Sequence, residues 1–163
     1  MNTKKVSAAL ALVWAFSLTG VNALALNESK GVGPITEVKL DPLDVPLATK
    51  GKDVFVSKCS ACHKMEERYV GPGLKGITTR RSPEWVMNMI LNPLEMTQKD
   101  PEAQKLLEEY LMQMTFQNVT QEETRSIFEY FRHYDDKGDI VAEVKAADKN
   151  KDLKKSKNKP NKK

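Results

Sequence analysis

Lys58-Cys59-Ser60-Ala61-Cys62-His63-Lys64 is the stretch whose reading decides the fold. Cys59 and Cys62 are the chain's two cysteines, and they stand three positions apart with a histidine directly after them. Two thiols at that spacing lie on one face of a helical turn. Each can add to one vinyl group of a porphyrin, and the next residue then projects its imidazole at the iron. The C-x-x-C-H pattern therefore reads as a covalent attachment site for one haem c, with Cys59 and Cys62 as anchors and His63 as proximal iron ligand. Three other fates compete. A structural zinc site normally needs four ligands, and beyond these three there is only the distant His133, so acids would have to be recruited. A thioredoxin-like redox pair wants a βαβ setting. A plain disulfide is available in an oxidising compartment.

Working outward, no run shows sustained period-two alternation, so the expected class is all-α. Residues 47–58 carry Ala48, Val54 and Phe55 at helical spacing and lead into the cysteines. Ser82-Pro83-Glu84 and Asp100-Pro101-Glu102 each combine an N-cap, a first-turn proline and a first-turn acid. The first opens a helix that should stop near Asn92-Pro93, leaving the segment up to Asp100 as a loop containing Met96. The second opens a helix with Leu106, Leu107, Tyr110 and Leu111. Thr120 with Glu123 forms a capping box ahead of Ile127, Phe128, Phe131 and Tyr134. Gly71-Pro72-Gly73 and Gly76 mark a loop.

The ends read differently. Residues 1–25 have a basic start, a mostly apolar stretch and small residues at cleavage spacing, the pattern of an export signal. Val6–Val21 gives 16 residues broken by Ser17, Thr19 and Gly20, short of the roughly 20 that span a bilayer. A soluble, exported, periplasmic protein is expected. Residues 26–46, with Pro34, Pro42 and Pro46, read as an extended lead-in to a domain at 47–134. Residues 135–163 read as a Lys-rich tail, mostly disordered, because so polar a segment cannot offset its ordering entropy. The net charge of +4 conceals this division. Nine lysines against Asp148 and Asp152 put +7 on residues 145–163. With Lys4 and Lys5 in the signal, the stretch between carries −5, so no basic face for nucleic acid is expected on the domain. The tail is a candidate tether for an anionic surface.

The stretch 47–134 resembles the class I monohaem c-type cytochromes. Gly51 and Phe55 look like that family's G-x-x-x-F first helix, Gly71-Pro72-Gly73-Leu74-Lys75-Gly76 like its G-P-x-L-x-G loop, and Glu129-Tyr130-Phe131-Arg132 like the aromatic pair of its last helix. The resemblance implies a small helical domain wrapped around its cofactor, with Gly51 letting the first helix cross the last closely at Tyr130. It implies that the Pro72 carbonyl accepts the His63 Nδ1–H. The distal iron ligand has candidates in Met87, Met89, Met96, Met112, Met114 and His133; Met65 is too near His63 to reach the other side. Met114-Thr115-Phe116-Gln117-Asn118-Val119-Thr120 resembles the segment that carries the family's ligand methionine, although Thr115 stands where proline is frequent. That resemblance favours Met114, with Met112 as fallback. Tyr69 and Trp85 are candidate haem-pocket residues that could reach a propionate, as could Arg80 and Arg81.

The implied function is a non-enzymatic one-electron carrier, a monomer. Its donor would be a quinol-oxidising respiratory complex and its acceptor a terminal oxidase or nitrogen-oxide reductase. The second acceptor is suggested by the segment from Asn92-Pro93 to Asp100-Pro101, which resembles cytochromes serving such reductases. The competing function is a haem-based binder or sensor with an open or weak sixth position.

Overall fold

The computed structural model describes residues 29–140. The stretch read as an export signal, 1–25, and residues 141–163 of the stretch read as a Lys-rich tail lie outside the described residues. The architecture is all-α, in the order α1 (Val45–Lys58), α2 (Ile77–Arg80), α3 (Pro83–Leu91), α4 (Pro93–Lys99), α5 (Pro101–Tyr110) and α6 (Gln121–Lys137).

Local chemistry starts most of these helices. Asp44 accepts from the Leu47 N–H and Pro46 sits in the first turn of α1. The Ser82 hydroxyl caps α3 at the Trp85 N–H. Asp100 caps α5 twice, at Glu102 and Ala103. The Thr120–Glu123 capping box is present at α6, whose end is set by Gly138 at φ 82°.

Two helices were not anticipated. The segment read as a loop around Met96 is α4, and Met96 is fully buried rather than in a loop. Asn92 closes α3 and opens α4, and Pro93, read as a stop, occupies the first turn of the new helix. A proline needs no N–H there, so one residue both ends and restarts helical structure. The four residues of α2 are too few to show a period.

The core is the crossing of α1 on α6. A β-carbon on Gly51 would lie 1.8 Å from the Ser126 carbonyl oxygen and 2.8 Å from the Ile127 nitrogen. The close approach is therefore to the Ser126–Ile127 backbone, not to Tyr130 as expected. Phe55 takes up the aromatic contact, 5.6 Å from Tyr130 and 5.8 Å from Phe131 between ring centroids.

The lead-in runs extended over α3. Its Val38 and Ile35 N–H groups donate to Glu84 and Asn88, both at 2.9 Å, and its Val32 carbonyl accepts from Asn92 at 3.3 Å. These three side chains recur every fourth residue, on one helix face. At the far end α6 continues to Lys137, past the Tyr134 boundary expected for the domain. Asp135 accepts from the Gly76 and Thr78 N–H groups and from the Thr78 hydroxyl, and Ile140 is buried.

Candidate haem site

A cavity of about 420 Å³ opens between the end of α1, the loop after it, α3, α5 and the segment joining α5 to α6. Cys59, Cys62, His63 and Met114 all contribute to its lining, so the sequence motif and the favoured methionine share one space. The remaining walls are overwhelmingly apolar, with Phe55, Ile90, Leu106 and Phe131 among them.

His63 is placed by its loop. The helix runs out at Cys59, and the Cys62 and His63 N–H groups both reach back to the Cys59 carbonyl, at 3.0 Å each. The Gly71 N–H closes the loop onto the Cys62 carbonyl at 2.9 Å. This packs Gly71 so tightly on the imidazole that a β-carbon there would stand 2.5 Å from His63 Cε1. The ring's Nδ1 lies 3.1 Å from the Pro72 carbonyl oxygen, the partner the resemblance implied. Donation from Nδ1 leaves Nε2 with its lone pair free to ligate. Burial pushes the His63 pKa below its ordinary value, and the Pro72 bond offsets only part of that. Burial thus favours the neutral ring, the form that ligates a metal. Burial likewise raises the Cys59 pKa, with Lys58 acting against it and Cys62 with it.

The other candidates separate by position. Met87 and Met96 are core, as is Met65, and none of the three reaches the cavity. His133 is buried away from it, with Nδ1 3.1 Å from the Gly138 carbonyl oxygen. Met89, Met112 and Met114 line the cavity; Met112 is 58% exposed, whereas Met114 is half-buried against the core. Trp85 forms part of the wall, but its indole N–H donates to Asp100 at 2.9 Å, so it has no proton left for a propionate. Tyr69 stands outside the lining, exposed, with Lys64 5.0 Å above its ring. Arg80 is folded onto the Gly73 and Lys75 carbonyls and Arg81 onto Glu102, so neither is a free cation at the pocket. Thr97 and Gln113, which no local pattern marked, also line the cavity.

The donor set fits a haem: two thiols at the wall, a neutral oriented imidazole, a thioether on the same lining, and an apolar surround for the macrocycle. Among the described residues no group of three or more histidine, cysteine or acidic side chains is placed to hold a bare metal ion.

Comparison with known proteins agrees. A solved cytochrome c from Rhodothermus marinus is 39% identical, with a TM-score of 0.63 over 64% of this chain and 90% of that one. An engineered form of the same cytochrome, bound to a carbene intermediate, is 38% identical with a TM-score of 0.60, over 64% of this chain and 91% of that one. A cytochrome c-553-like protein of Synechocystis sp. is 28% identical over 69 residues, 39% of this chain and 66% of that protein. The chain thus spans about two thirds of that curated relative. The family description "Cytochrome c" matches residues 48–135, from the first core residue of α1 to the aspartate that α6 lends to the loop. With Cys59, Cys62 and His63 on the wall of one apolar cleft and the family match spanning residues 48–135, this chain belongs to the cytochrome c family.

Proposed function

We propose that the chain is an exported one-electron carrier in which His63 and Met114 are the axial ligands of a single haem c held by Cys59 and Cys62. The observation that carries this reading is the shared lining of one apolar cavity by all four residues. Bound there, haem c supplies an iron that cycles between two oxidation states. The protein's part is to keep the surroundings the same in both. Gly71 packs against the His63 ring and the Pro72 carbonyl holds its Nδ1, which favours one ring orientation in both oxidation states. Met114 offers a soft, neutral sulfur, and such ligation raises a reduction potential relative to harder donors. The apolar walls disfavour the more positive oxidised state and act in the same direction. Little reorganises, and that suits transfer rather than turnover of a substrate. The donor would be a quinol-oxidising complex and the acceptor a terminal oxidase or nitrogen-oxide reductase, met through a small transient contact. Export follows from the signal pattern of residues 1–25, and among the described residues no helix is long and apolar enough to cross a membrane.

The test is expression in a host with haem-attachment machinery, followed by intact mass and visible spectra of both oxidation states. The expected product is heavier than its polypeptide by one haem. Its ferric form has the weak far-red band of a thioether–iron bond, and that band disappears in Met114→Ala. A colourless product of bare polypeptide mass refutes haem attachment. A red protein that lacks the band and takes up carbon monoxide rapidly when reduced is the binder or sensor instead.

A further inference from the structure

The segment that carries Met114 has little backbone support. Residues 111–120 contain no helix, and Leu111 and Asn118, at φ 52° and 54°, bracket it with left-handed turns. Among the described residues, no backbone–backbone hydrogen bond outside the helices involves residues 112–119. Lys58 holds the far end at the Asn118 carbonyl, and Gln117 bonds only within the segment, to Thr115. At the Met114 end the tie is Gln113. Its Nε2 donates to the Met114 carbonyl at 2.9 Å and faces the Pro93 carbonyl at 3.5 Å. Its Oε1 lies 2.9 Å from the hydroxyl of Thr97, a buried residue of α4.

These partners fix the amide's orientation. Two carbonyl oxygens can only face the NH₂ end, so Oε1 must face Thr97. A hydroxyl has one proton, and the Thr97 hydroxyl also has the Pro93 and Leu94 carbonyls within reach, at 3.1 and 3.0 Å. Of these three acceptors Gln113 Oε1 is the nearest and the one outside α4, so the Thr97 proton donated there ties α4 to Gln113. The result is a continuous bridge from the α4 interior, through Thr97 and Gln113, to the peptide of Met114. Thr97 and Gln113 both line the haem cavity, and Thr97 is buried, so the bridge sits beside the space that Met114 also lines.

We infer that Thr97 and Gln113 form a latch that positions Met114, setting how readily the distal sulfur leaves the iron. They are positioning residues; neither needs to touch the iron. The inference rests on Met114 being the distal ligand. It assigns α4 a role, since that helix supplies both the Thr97 hydroxyl and the Pro93 carbonyl.

The experiment uses the haem-loaded full chain and reads the far-red ferric band and the rate at which added imidazole captures the ferric protein. That capture waits on opening of the sulfur–iron bond. Thr97→Val and Gln113→Leu should each speed capture about five- to tenfold, the effect of losing one buried neutral hydrogen bond. The double variant should be no faster than the faster single one, because either change breaks the same bridge. Thr97→Ser, which keeps the hydroxyl, should behave as the parent. Parental capture rates in both singles, or effects that add in the double, overturn the latch while leaving Met114 as ligand. A far-red band that survives Met114→Ala overturns both. If Thr97→Val does not fold, Gln113→Leu against Thr97→Ser decides the question.

Discussion

A β-carbon on Gly71 would stand 2.5 Å from Cε1 and 2.9 Å from Nδ1 of His63, and an aromatic ring offers no soft end that can move aside. Gly71→Ala should therefore rotate or displace the imidazole and lengthen its bond to the Pro72 carbonyl. We expect the variant still to attach haem through Cys59 and Cys62, because the thiols are untouched. Its ferric spectrum should show a weakened proximal field, and its reduction potential should shift from the parent's. An unchanged potential and spectrum would mean the glycine is only a loop former. Gly51→Ala tests a different kind of closeness, since its β-carbon would meet backbone at 1.8 Å and backbone cannot rotate away. Separating α1 from α6 to make room should cost on the order of 3 kcal/mol, at the upper end for overpacking, read from the urea midpoint. Both glycines were legible in the sequence as family positions. What each one faces was not, because it depends on where a second segment passes.

Elements repeat that division between local and distant chemistry. The starts of α3, α5 and α6 are written within four residues of sequence, as an acceptor side chain or an acceptor with a proline, and those helices were legible from it. The helix α1 was legible by its apolar spacing, and it begins at Val45, capped by Asp44, inside the stretch 26–46 read as lead-in. The helix α4 was not, because Pro93 carries two meanings and only packing chooses between them. Nor was the ladder of Glu84, Asn88 and Asn92, whose partners lie about fifty residues earlier in the lead-in. Asn88 is its centre: it is 1% exposed, accepts from the Ile35 N–H and donates to the Lys30 and Ile35 carbonyls, all at 2.9 Å. An extended segment without a sheet has few other places to satisfy its backbone. Asn88→Leu should strand a buried N–H and two carbonyls. It should cost about 2–3 kcal/mol of stability and raise hydrogen exchange across residues 30–36, with exchange in α6 unaffected. Equal acceleration in both places would show that the lead-in does not open separately.

Across the whole molecule, Asp100 ties the most distant parts together. Its carboxylate accepts from the Ser29 hydroxyl in the lead-in at 2.6 Å and from the Trp85 indole on the haem-cavity wall at 2.9 Å. It also accepts from the Glu102 and Ala103 N–H groups that begin α5, at 3.1 and 2.9 Å. Burial alone would push this carboxyl's pKa up. The donors from Ser29, Trp85, Ala103 and Glu102 more than offset it, and the net shift is downward. A carboxyl whose folded pKa lies below its unfolded one stabilises the fold fully above the ordinary carboxylate range, about pH 4. That contribution fades as pH falls through the lower, folded value. The stability difference between parent and Asp100→Asn should accordingly be largest near neutral pH and shrink as the pH falls below the ordinary carboxylate range, where the parent's own carboxyl takes up a proton. Glu109, paired with Arg68 on the surface and 55% exposed, is the control, since such a pair contributes little at any pH. Urea midpoints of the haem-loaded parent, Asp100→Asn and Glu109→Gln at matched pH values measure this directly. Because Asp100 also holds Trp85 against the cavity, the acid loss should be accompanied by a change in haem absorption at the same pH. A pH-independent gap between parent and Asp100→Asn would assign the residue's value to shape and capping alone, and remove charge from the account.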